Sequence, residues 1–244
     1  MEPGLVVLIH GAGENRTRWR YQARWLRSRG PEVVALDLPG HGEDHDQPLE
    51  TVEEMAQWVA GKFDRAAAVV GHSMGGLIAL ELTRIRPDLV ERLVLTGTST
   101  SIEVNSELQD AADNRLDKAV SMIVGWSYDP IGRLGGHPDP GIAPAIVSGR
   151  LLESELGNLG IDLRATGAYG RGAEAAASVK VPTLVIAGKL DRMVPLNAVR
   201  RLATAIGGAQ LEVVDGAGHM MVTEAPNEVR ELLASFLLLT FRWA

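Results

Sequence analysis

Short apolar runs alternate with segments of helical periodicity along most of the chain. The runs are rich in Val, Ile and Leu and lack the polar alternation of a half-exposed strand, which is typical of strands buried on both faces. They are Leu5–Ile9, Val33–Leu36, Ala67–Val70 and Leu93–Thr96, and further strand-like runs follow later at Pro182–Gly188 and Leu211–Val214. Because strands that alternate with helices form parallel sheets, the pattern predicts an α/β fold with a mostly parallel sheet and helices on both faces.

This alternation stops near residue 100 and resumes near residue 180. Between them the sequence is helical or rich in Gly and Pro: Asn105–Trp126 has the pattern of one long helix, and residues 135–141 form a predicted loop. The simplest organisation is one domain that carries an insertion. We predict a core made of residues 1–99 and 180–244, interrupted by a helical insertion at residues 100–179.

The composition narrows the class of protein. Hydrophobic residues make up 45% and charged residues 23% of the 244 positions, a globular balance with enough length for a full core. The net charge of −7, with Lys and Arg scattered, argues against a nucleic-acid partner, which needs a clustered basic patch. The lack of Cys excludes disulfides, thiolate zinc sites and cysteine nucleophiles.

The sequence offers no pattern typical of targeting or membrane insertion. No basic leader with a small-residue cleavage site precedes the first apolar run. The longest nearly apolar stretch, Ala66–Leu82, is short for a bilayer span and contains His72 and Ser73. We therefore expect a cytoplasmic protein without a membrane partner.

A G-x-S-x-G motif occupies Gly71–Gly75, between an apolar run and a helical segment. In that context the motif presents a serine on a tight strand-to-helix turn, which requires tiny residues two positions before and after it. The turn would hold the Ser73 hydroxyl above the carboxyl end of the sheet, where α/β proteins bind ligands. Ser73 is therefore the candidate nucleophile, and the neighbouring His72 is expected to point away from the site. The pentapeptide also arises by chance in Gly-rich chains, so the role of Ser73 depends on whether a base and a carboxylate accompany it.

A nucleophilic serine needs a base, and the base needs an orienting carboxylate. Asp191 follows the run Pro182–Gly188, and His219 follows the run Leu211–Val214. Both would lie at the same sheet edge as Ser73, because the carboxyl ends of parallel strands share an edge. Asp191 alone would fit a helix cap and His219 alone a satisfied loop histidine, but the ordered set predicts a catalytic triad.

Acyl transfer also needs N–H donors where the oxyanion develops. One donor is expected from Met74, at the start of the helix after the serine, and the other from Ala12, in the loop after the first strand. His10 is expected to brace that loop through hydrogen bonds.

These residues resemble the α/β-hydrolase superfamily. The markers are His10-Gly11 with Trp19 and Gln22, Asp37-Leu38-Pro39-Gly40-His41-Gly42, Gly71–Gly76, Gly188-x-x-Asp191-x-x-Val194-Pro195, and Gly218-His219 with Glu224 and Pro226. They span nearly the whole chain and are similar to those of small esterases, enol-lactonases, cofactor-free haloperoxidases and carbon–carbon bond hydrolases. The resemblance implies that residues 100–179 form a helical cap, or lid, over the active site, and that no cofactor or metal is required.

Two features depart from the family pattern. The given sequence begins almost at the strand that is usually third, so we expect the usual leading hairpin to be missing or truncated. Ala12 stands where a bulky aromatic residue is common, which would widen the acyl pocket. The insertion carries no family marker, and we predict substrate contacts from its aromatic residues Trp126, Tyr128 and Tyr169, although aromatics at helical spacing are more often core.

Two signals for bound cofactors are weak. Gly11-x-Gly13 lacks the third glycine of a dinucleotide site because Arg16 stands there. The stretch with His41, Asp44, His45 and Asp46 contains residue types that bind metals, but their spacing would not turn them toward one ion. We expect this stretch to be solvated surface.

Two further segments have ordinary interpretations. Arg16 and Arg18 would be exposed at a helix start, although they could also meet a substrate carboxylate. The apolar segment Phe236–Trp243 fits either a subunit contact in a homo-oligomer or a last helix packed on the sheet.

The sequence thus predicts a serine hydrolase that cleaves a small to medium carboxylic ester or lactone through an acyl-enzyme on Ser73. His219 would take the serine proton, and Asp191 would hold the imidazole. Two alternatives stay open. A carbon–carbon bond hydrolase of a dienoate ketone would use the same three residues, and a ligand-binding receptor would keep the fold without turnover.

Overall fold

The structure is a computed structural model that describes residues 4–128, 148–152 and 158–238. Within these ranges six strands form one sheet in the order β2-β1-β3-β4-β5-β6, and every neighbouring pair is parallel. The strands are β1 (Leu5–Ile9), β2 (Glu32–Ala35), β3 (Ala67–His72), β4 (Val90–Thr96), β5 (Thr183–Gly188) and β6 (Gln210–Val214). Each predicted run is therefore a strand, and the predicted α/β class is confirmed.

Helices connect the strands and follow the last one. The first three connections contain α1 (Arg20–Arg27), preceded by a 3-10 turn at Arg16–Trp19, α2 (Val52–Ala60) and α3 (Met74–Ile85), followed by a 3-10 turn at Pro87–Leu89. Between β4 and β5 lie α4 (Ser106–Asn114), α5 (Leu116–Ser127), a helical stretch at residues 148–152, α6 (Asn158–Ala168) and α7 (Gly172–Ser178). The chain continues with α8 (Leu196–Ala205), α9 (Met221–Glu224) and α10 (Pro226–Leu237). No helix in the described ranges is long and apolar enough to cross a bilayer.

Side chains of the strands alternate between two apolar layers, because successive residues of a strand point to opposite faces. In β1, Val7 and Ile9 belong to the same apolar cluster as residues of α2, α3 and α8, whereas Val6 and Leu8 belong to a second cluster with residues of α1, α9 and α10. Helices thus cover both faces, which explains why β1, β3 and β5 are buried along their whole length. Phe236, at the start of the predicted apolar terminus, packs on the sheet, and residues 239–244 lie outside the described residues.

The predicted helix Asn105–Trp126 is two helices. α4 and α5 are separated by Arg115, whose backbone leaves the helical region (φ −149°, ψ 69°). Asn114, just before the break, is a residue type whose side chain competes with the helix backbone and favours helix ends. The break lets α4 and α5 contact each other, so that Leu108 and Ile123 enter one apolar cluster. The predicted loop at residues 135–141 lies outside the described residues.

The strand order creates a crevice at the carboxyl ends of β1 and β3. The chain leaves β1 toward β2 on one side and then crosses back to β3 on the other. Ligands of open parallel sheets bind at such a switch point. The loop after β1, with His10 to Gly13, and the turn after β3, with Ser73, flank this crevice.

The insertion between β4 and β5 has an apolar cluster of its own. Residues of α4, α5 and α6 form it together with Met220, from the loop after β6. The inserted helices therefore pack against a loop at the carboxyl edge of the sheet. The exact limits of the insertion, residues 100 and 179, remain a prediction.

Candidate active site

Ser73 lies on the turn that joins β3 to α3. Its backbone angles are φ 53° and ψ −118°, and no other non-glycine residue in the described ranges has a positive φ. Such a conformation costs on the order of 1–3 kcal/mol and persists only where its surroundings enforce it. The Ser73 side chain makes no capping hydrogen bond to α3, so the helix does not use its hydroxyl.

The two glycines of the motif are required by close approaches of the backbone. A Cβ at Gly71 would overlap the carbonyl group of Gly75, and a Cβ at Gly75 would overlap the carbonyl groups of Ile9 and His10. The turn therefore packs directly on the end of β1. A larger residue at either position would push the two loops apart.

Asp191 and His219 meet beside this turn. The Asp191 Oδ2 atom lies 2.8 Å from Nδ1 of His219. The Oδ1 atom accepts hydrogen bonds from the backbone N–H groups of Met193 and Val194, both at 2.8 Å. These bonds fix the carboxylate, and the carboxylate fixes the imidazole so that its other nitrogen, Nε2, faces away from Asp191. Ser73 and His219 line the same cavity.

The surroundings of His219 act on its pKa in opposite directions. Burial of the ring, which is 2% exposed, would lower the pKa, whereas the charge of Asp191 and the hydrogen bond to it raise the pKa. The carboxylate prevails, and the pKa of His219 lies above its ordinary value of 6.5. The imidazole is thereby a better proton acceptor, and its neutral form predominates only above that pKa.

Two side chains hold the backbone around His219. Glu224 accepts a hydrogen bond from the N–H of Gly218 at 2.8 Å. His72 donates from Nε2 to the carbonyl oxygen of His219 at 3.0 Å, and the two rings are 4.9 Å apart between centroids. His72 therefore points toward the site, not away from it as expected, because this backbone carbonyl attracts its N–H.

His10 braces the loop after β1, as expected. It donates from Nδ1 to the Gly11 carbonyl at 2.8 Å, and its Nε2 accepts from the N–H of Leu38 at 3.1 Å. Burial, together with the neighbouring His41, lowers the pKa of His10 to about 4. The ring is therefore neutral near pH 7, which fits one donor nitrogen and one acceptor nitrogen.

Two buried carboxylates bind alternate N–H groups of the same loop. Glu14 Oε2 accepts from Gly11 at 3.1 Å, and Asp162 Oδ2 accepts from Gly13 at 2.7 Å. Ala12 lies between them and lines the cavity. Its N–H donates to no acceptor within the described ranges.

Met74 supplies a second unbonded N–H at this edge of the sheet. It is the first residue of α3, and N–H groups of a first helical turn have no acceptor within the helix. The helix dipole adds a partial positive charge at this end. The two donors predicted from the sequence, Ala12 and Met74, are therefore both available to a ligand.

Sequence reasoning missed a buried ion pair between Glu14 and Arg18, of which Glu14 helps to line the cavity. Glu14 and Arg18 are 1% and 3% exposed, and the guanidinium contacts the carboxylate directly. Burial alone would raise the pKa of Glu14, but the charge of Arg18 and the nearby His72 hold it well below its usual range. Arg18 also donates to the hydroxyl of Ser148, in the insertion, at 3.0 Å. Arg18 is thus buried rather than exposed, and its i,i+4 spacing from Glu14 was the available signal.

The cavity has a volume of about 140 Å³ and receives walls from both the core and the insertion. The insertion contributes mainly apolar side chains, among them Ile102, Val104, Leu108, Ile123, Trp126 and Leu163. An outer depression shares part of this wall and carries Arg192 and Arg201.

Of the three aromatic residues predicted to contact substrate, Trp126 lines this cavity. The described lining does not include Tyr128 or Tyr169, contrary to the prediction. The Tyr169 hydroxyl donates to Glu81 at 2.9 Å, and the Tyr128 hydroxyl is hydrogen-bonded to Ser148. A buried tyrosine needs a partner for its hydroxyl, and these partners hold both rings elsewhere.

His41 is also buried, although the sequence predicted a solvated stretch there. It is 1% exposed, and its Nε2 lies 2.9 Å from Asp162. Asp44, His45 and Asp46 are at least partly exposed, as expected. No group of three or more His, Asp or Glu side chains in the part of the chain that the structure describes could hold a metal ion.

Comparisons with known proteins agree with the fold described above. The model of the alpha/beta hydrolase family matches residues 6–232. Pyrrolizixenacetamide deacetylase of Xenorhabdus hominickii is 33% identical over 257 residues, which cover 97% of this chain and 91% of that protein. Pimeloyl-(acyl-carrier protein) methyl ester esterase of Aromatoleum aromaticum is 31% identical over 244 residues, 93% of this chain and 96% of that protein. The solved structure of Est816, an N-acyl homoserine lactone degrading enzyme, is similar with a TM-score of 0.82 and 25% identity, over 97% of this chain and 94% of that one.

We predict that His219 titrates with a pKa above 6.5 and that Asp191→Asn lowers this pKa, because burial then acts without the carboxylate. NMR titration of the labelled imidazole measures it, and His219→Gln assigns the signal. The control is Asp215→Asn, which removes a carboxylate that is 80% exposed and paired with Lys189; it should leave the His219 titration unchanged. A His219 pKa that does not respond to Asp191→Asn would contradict the pairing.

Proposed function

Since this chain belongs to the alpha/beta hydrolase family, we propose that it is a serine esterase or lactonase for a small to medium substrate. The class, an alpha/beta hydrolase enzyme, follows from the family match and the relatives. The nucleophile, the mechanism and the substrate are what we propose.

One observation carries the proposal. His219, backed by Asp191 at 2.8 Å, lines the same cavity as Ser73, which sits on a strained turn with its hydroxyl unused by the helix. A serine hydroxyl is a weak nucleophile until a neighbouring base takes its proton, and the base works best when a carboxylate orients it. Ser73, Asp191 and His219 would be the nucleophile, the orienting carboxylate and the base, and they follow one another along the chain in that order.

In the proposed reaction the Ser73 oxygen attacks the substrate carbonyl while His219 Nε2 takes the serine proton. Asp191 stabilises the imidazolium, which then gives its proton to the departing alcohol oxygen and leaves an acyl-enzyme. A water molecule, deprotonated by His219, attacks the acyl carbon, releases the carboxylic acid and restores Ser73. These steps need no metal or cofactor.

The negative charge on the attacked carbonyl oxygen would be received by the N–H groups of Ala12 and Met74. Both groups lack a protein acceptor within the described ranges, so no existing bond has to break when the charge develops. One donor of this kind contributes roughly 10²–10³-fold to kcat.

The insertion would act as the lid that selects the substrate. It supplies the apolar wall of a cavity of about 140 Å³, which suits a short or medium acyl group. The names of the relatives given above specify an acetamide deacetylase, a methyl ester esterase and a lactone-degrading enzyme, so acyl hydrolysis transfers to this chain more readily than any one substrate. The cytoplasmic location and the homo-oligomer remain predictions.

We predict that the purified protein turns over p-nitrophenyl acetate steadily and that Ser73→Ala lowers kcat by roughly three orders of magnitude or more. Steady turnover also separates an enzyme from a receptor on the same fold. Ser235→Ala, on the exposed side of α10, is the matched control and should keep the wild-type kcat. If Ser73→Ala kept more than a tenth of that kcat, another nucleophile would be at work.

We also predict that Trp126→Ala changes the ratio of kcat/KM between a short and a bulky acyl ester by roughly tenfold, since one pocket contact is worth about 1–3 kcal/mol of discrimination. Tyr169→Phe, which alters a side chain bonded to Glu81 away from the described lining, should leave the ratio unchanged. Asp191→Asn should lower both rates by a similar factor, because it acts through the imidazole. Equal scaling of both substrates by Trp126→Ala would remove Trp126 from substrate selection.

A further inference from the structure

We infer that Asp162, on the inserted helix α6, is a positioning residue for the loop that carries Ala12. The inference rests on the proposed function, in which the Ala12 N–H receives the oxyanion. Asp162 is fully buried, and its Oδ2 accepts the Gly13 N–H at 2.7 Å. The two residues are 149 positions apart in the sequence, so this bond ties the insertion to the loop after β1.

His41 holds the same carboxylate oxygen. Its Nε2 lies 2.9 Å from Asp162 Oδ2, and its Nδ1 lies 3.0 Å from the carbonyl oxygen of Pro39. A carbonyl and a carboxylate only accept hydrogen bonds, so both ring nitrogens must donate, and only the imidazolium has two N–H groups. The geometry therefore fits a buried imidazolium–carboxylate pair, in which each charge makes burial of the other tolerable.

The hydrogen bonds fix both peptide planes that flank the Cα atom of Ala12. The Gly11 carbonyl and the Ala12 N–H belong to one trans peptide and point in opposite directions. His10 binds that carbonyl at 2.8 Å, which sets the direction of the Ala12 N–H. Asp162 binds the N–H of the next peptide, at Gly13. The first of these hydrogen bonds comes from His10, in the core, and the second comes from Asp162, in the insertion.

Apolar packing reinforces this contact. Gly13 has a left-handed φ of 63°, and a Cβ there would lie 2.8 Å from the side chain of Leu159 and 2.9 Å from that of Leu152. Both leucines belong to the insertion. The loop is therefore pressed between the sheet edge and inserted helices, and its conformation depends on how those helices are seated.

Loss of the carboxylate should release the Gly13 N–H and let the peptide planes around Ala12 rotate. The donor would then be misplaced in the transition state, where the oxyanion exists, rather than in the bound substrate. The kinetic signature is a fall in kcat at nearly constant KM. The fall should approach the roughly 100-fold loss typical of one missing oxyanion donor.

The test compares Asp162→Ala with Asp162→Asn on p-nitrophenyl acetate. Asp162→Ala should lower kcat about 100-fold with KM within about threefold, and Asp162→Asn, whose amide oxygen can still accept the Gly13 N–H, should recover at least about tenfold of the loss. Affinity for a trifluoromethyl ketone, which forms a tetrahedral oxyanion on serine, should fall in parallel with kcat, whereas affinity for the matching methyl ketone should not. Titration with a phosphonate ester counts the competent sites, so that misfolded protein is not scored as slow enzyme.

The matched control is Arg164→Ala on the same helix. Arg164 pairs with Asp113 of α4 at 2.6 Å, so its loss removes a polar contact of α6 without touching Gly13, Pro39 or His41; kcat should stay within about threefold. Should Asp162→Ala fail to fold, Asp162→Leu removes the acceptor without leaving a cavity.

A Ser73-dependent kcat that is unchanged in the Asp162 variants, or equal losses of kcat in Asp162→Asn and Asp162→Ala, would overturn the inference. Failure of the proposed function would instead appear as activity that survives Ser73→Ala.

Discussion

The site is built around the strained backbone of Ser73. A serine with φ 53° and ψ −118° is stable only if the chain on both sides is fixed, and here β3 and α3 fix it. The turn also needs glycine at positions 71 and 75, because the backbone of the turn touches itself and the end of β1. The same compact turn leaves the Ser73 hydroxyl and the Met74 N–H free at one edge of the sheet. The turn that strains the backbone is therefore also the reason that these two groups are open to a ligand.

Parallel strands explain how distant residues reach this turn. Asp191 follows β5 and His219 follows β6, and the loop with Ala12 follows β1; all three segments leave the sheet at the carboxyl edge. Each then depends on its own hydrogen bonds: those of Asp191 to the N–H groups of Met193 and Val194, and that of Glu224 to the Gly218 N–H. The sheet brings the groups together, and these local bonds set their orientation.

Much of this could be predicted from sequence because the signals are local. Runs of apolar residues marked the strands, and glycine spacing marked the turn at Ser73. The contacts that sequence reasoning missed join residues far apart in the chain, such as Arg18 with Ser148 and Asp162 with Gly13. The same reason explains Tyr169, which was expected to contact substrate: the acceptor for its hydroxyl is Glu81, and no local pattern reveals that partner. The helix break at Arg115 was not predicted because the apolar pattern continues across it.

The insertion is part of the site in two ways. It contributes Trp126 and other apolar side chains to the cavity, and it contributes Asp162 to the loop that carries Ala12. Ser73 is the proposed carrier of the acyl group, and covalent labelling of the nucleophile shows which residue has that role. After inactivation by a p-nitrophenyl phosphonate and digestion with trypsin, we expect one phosphonyl group on the peptide Ala66–Arg84, whose only serine is Ser73, in proportion to the activity lost. Complete inactivation with the label on a different peptide would contradict it.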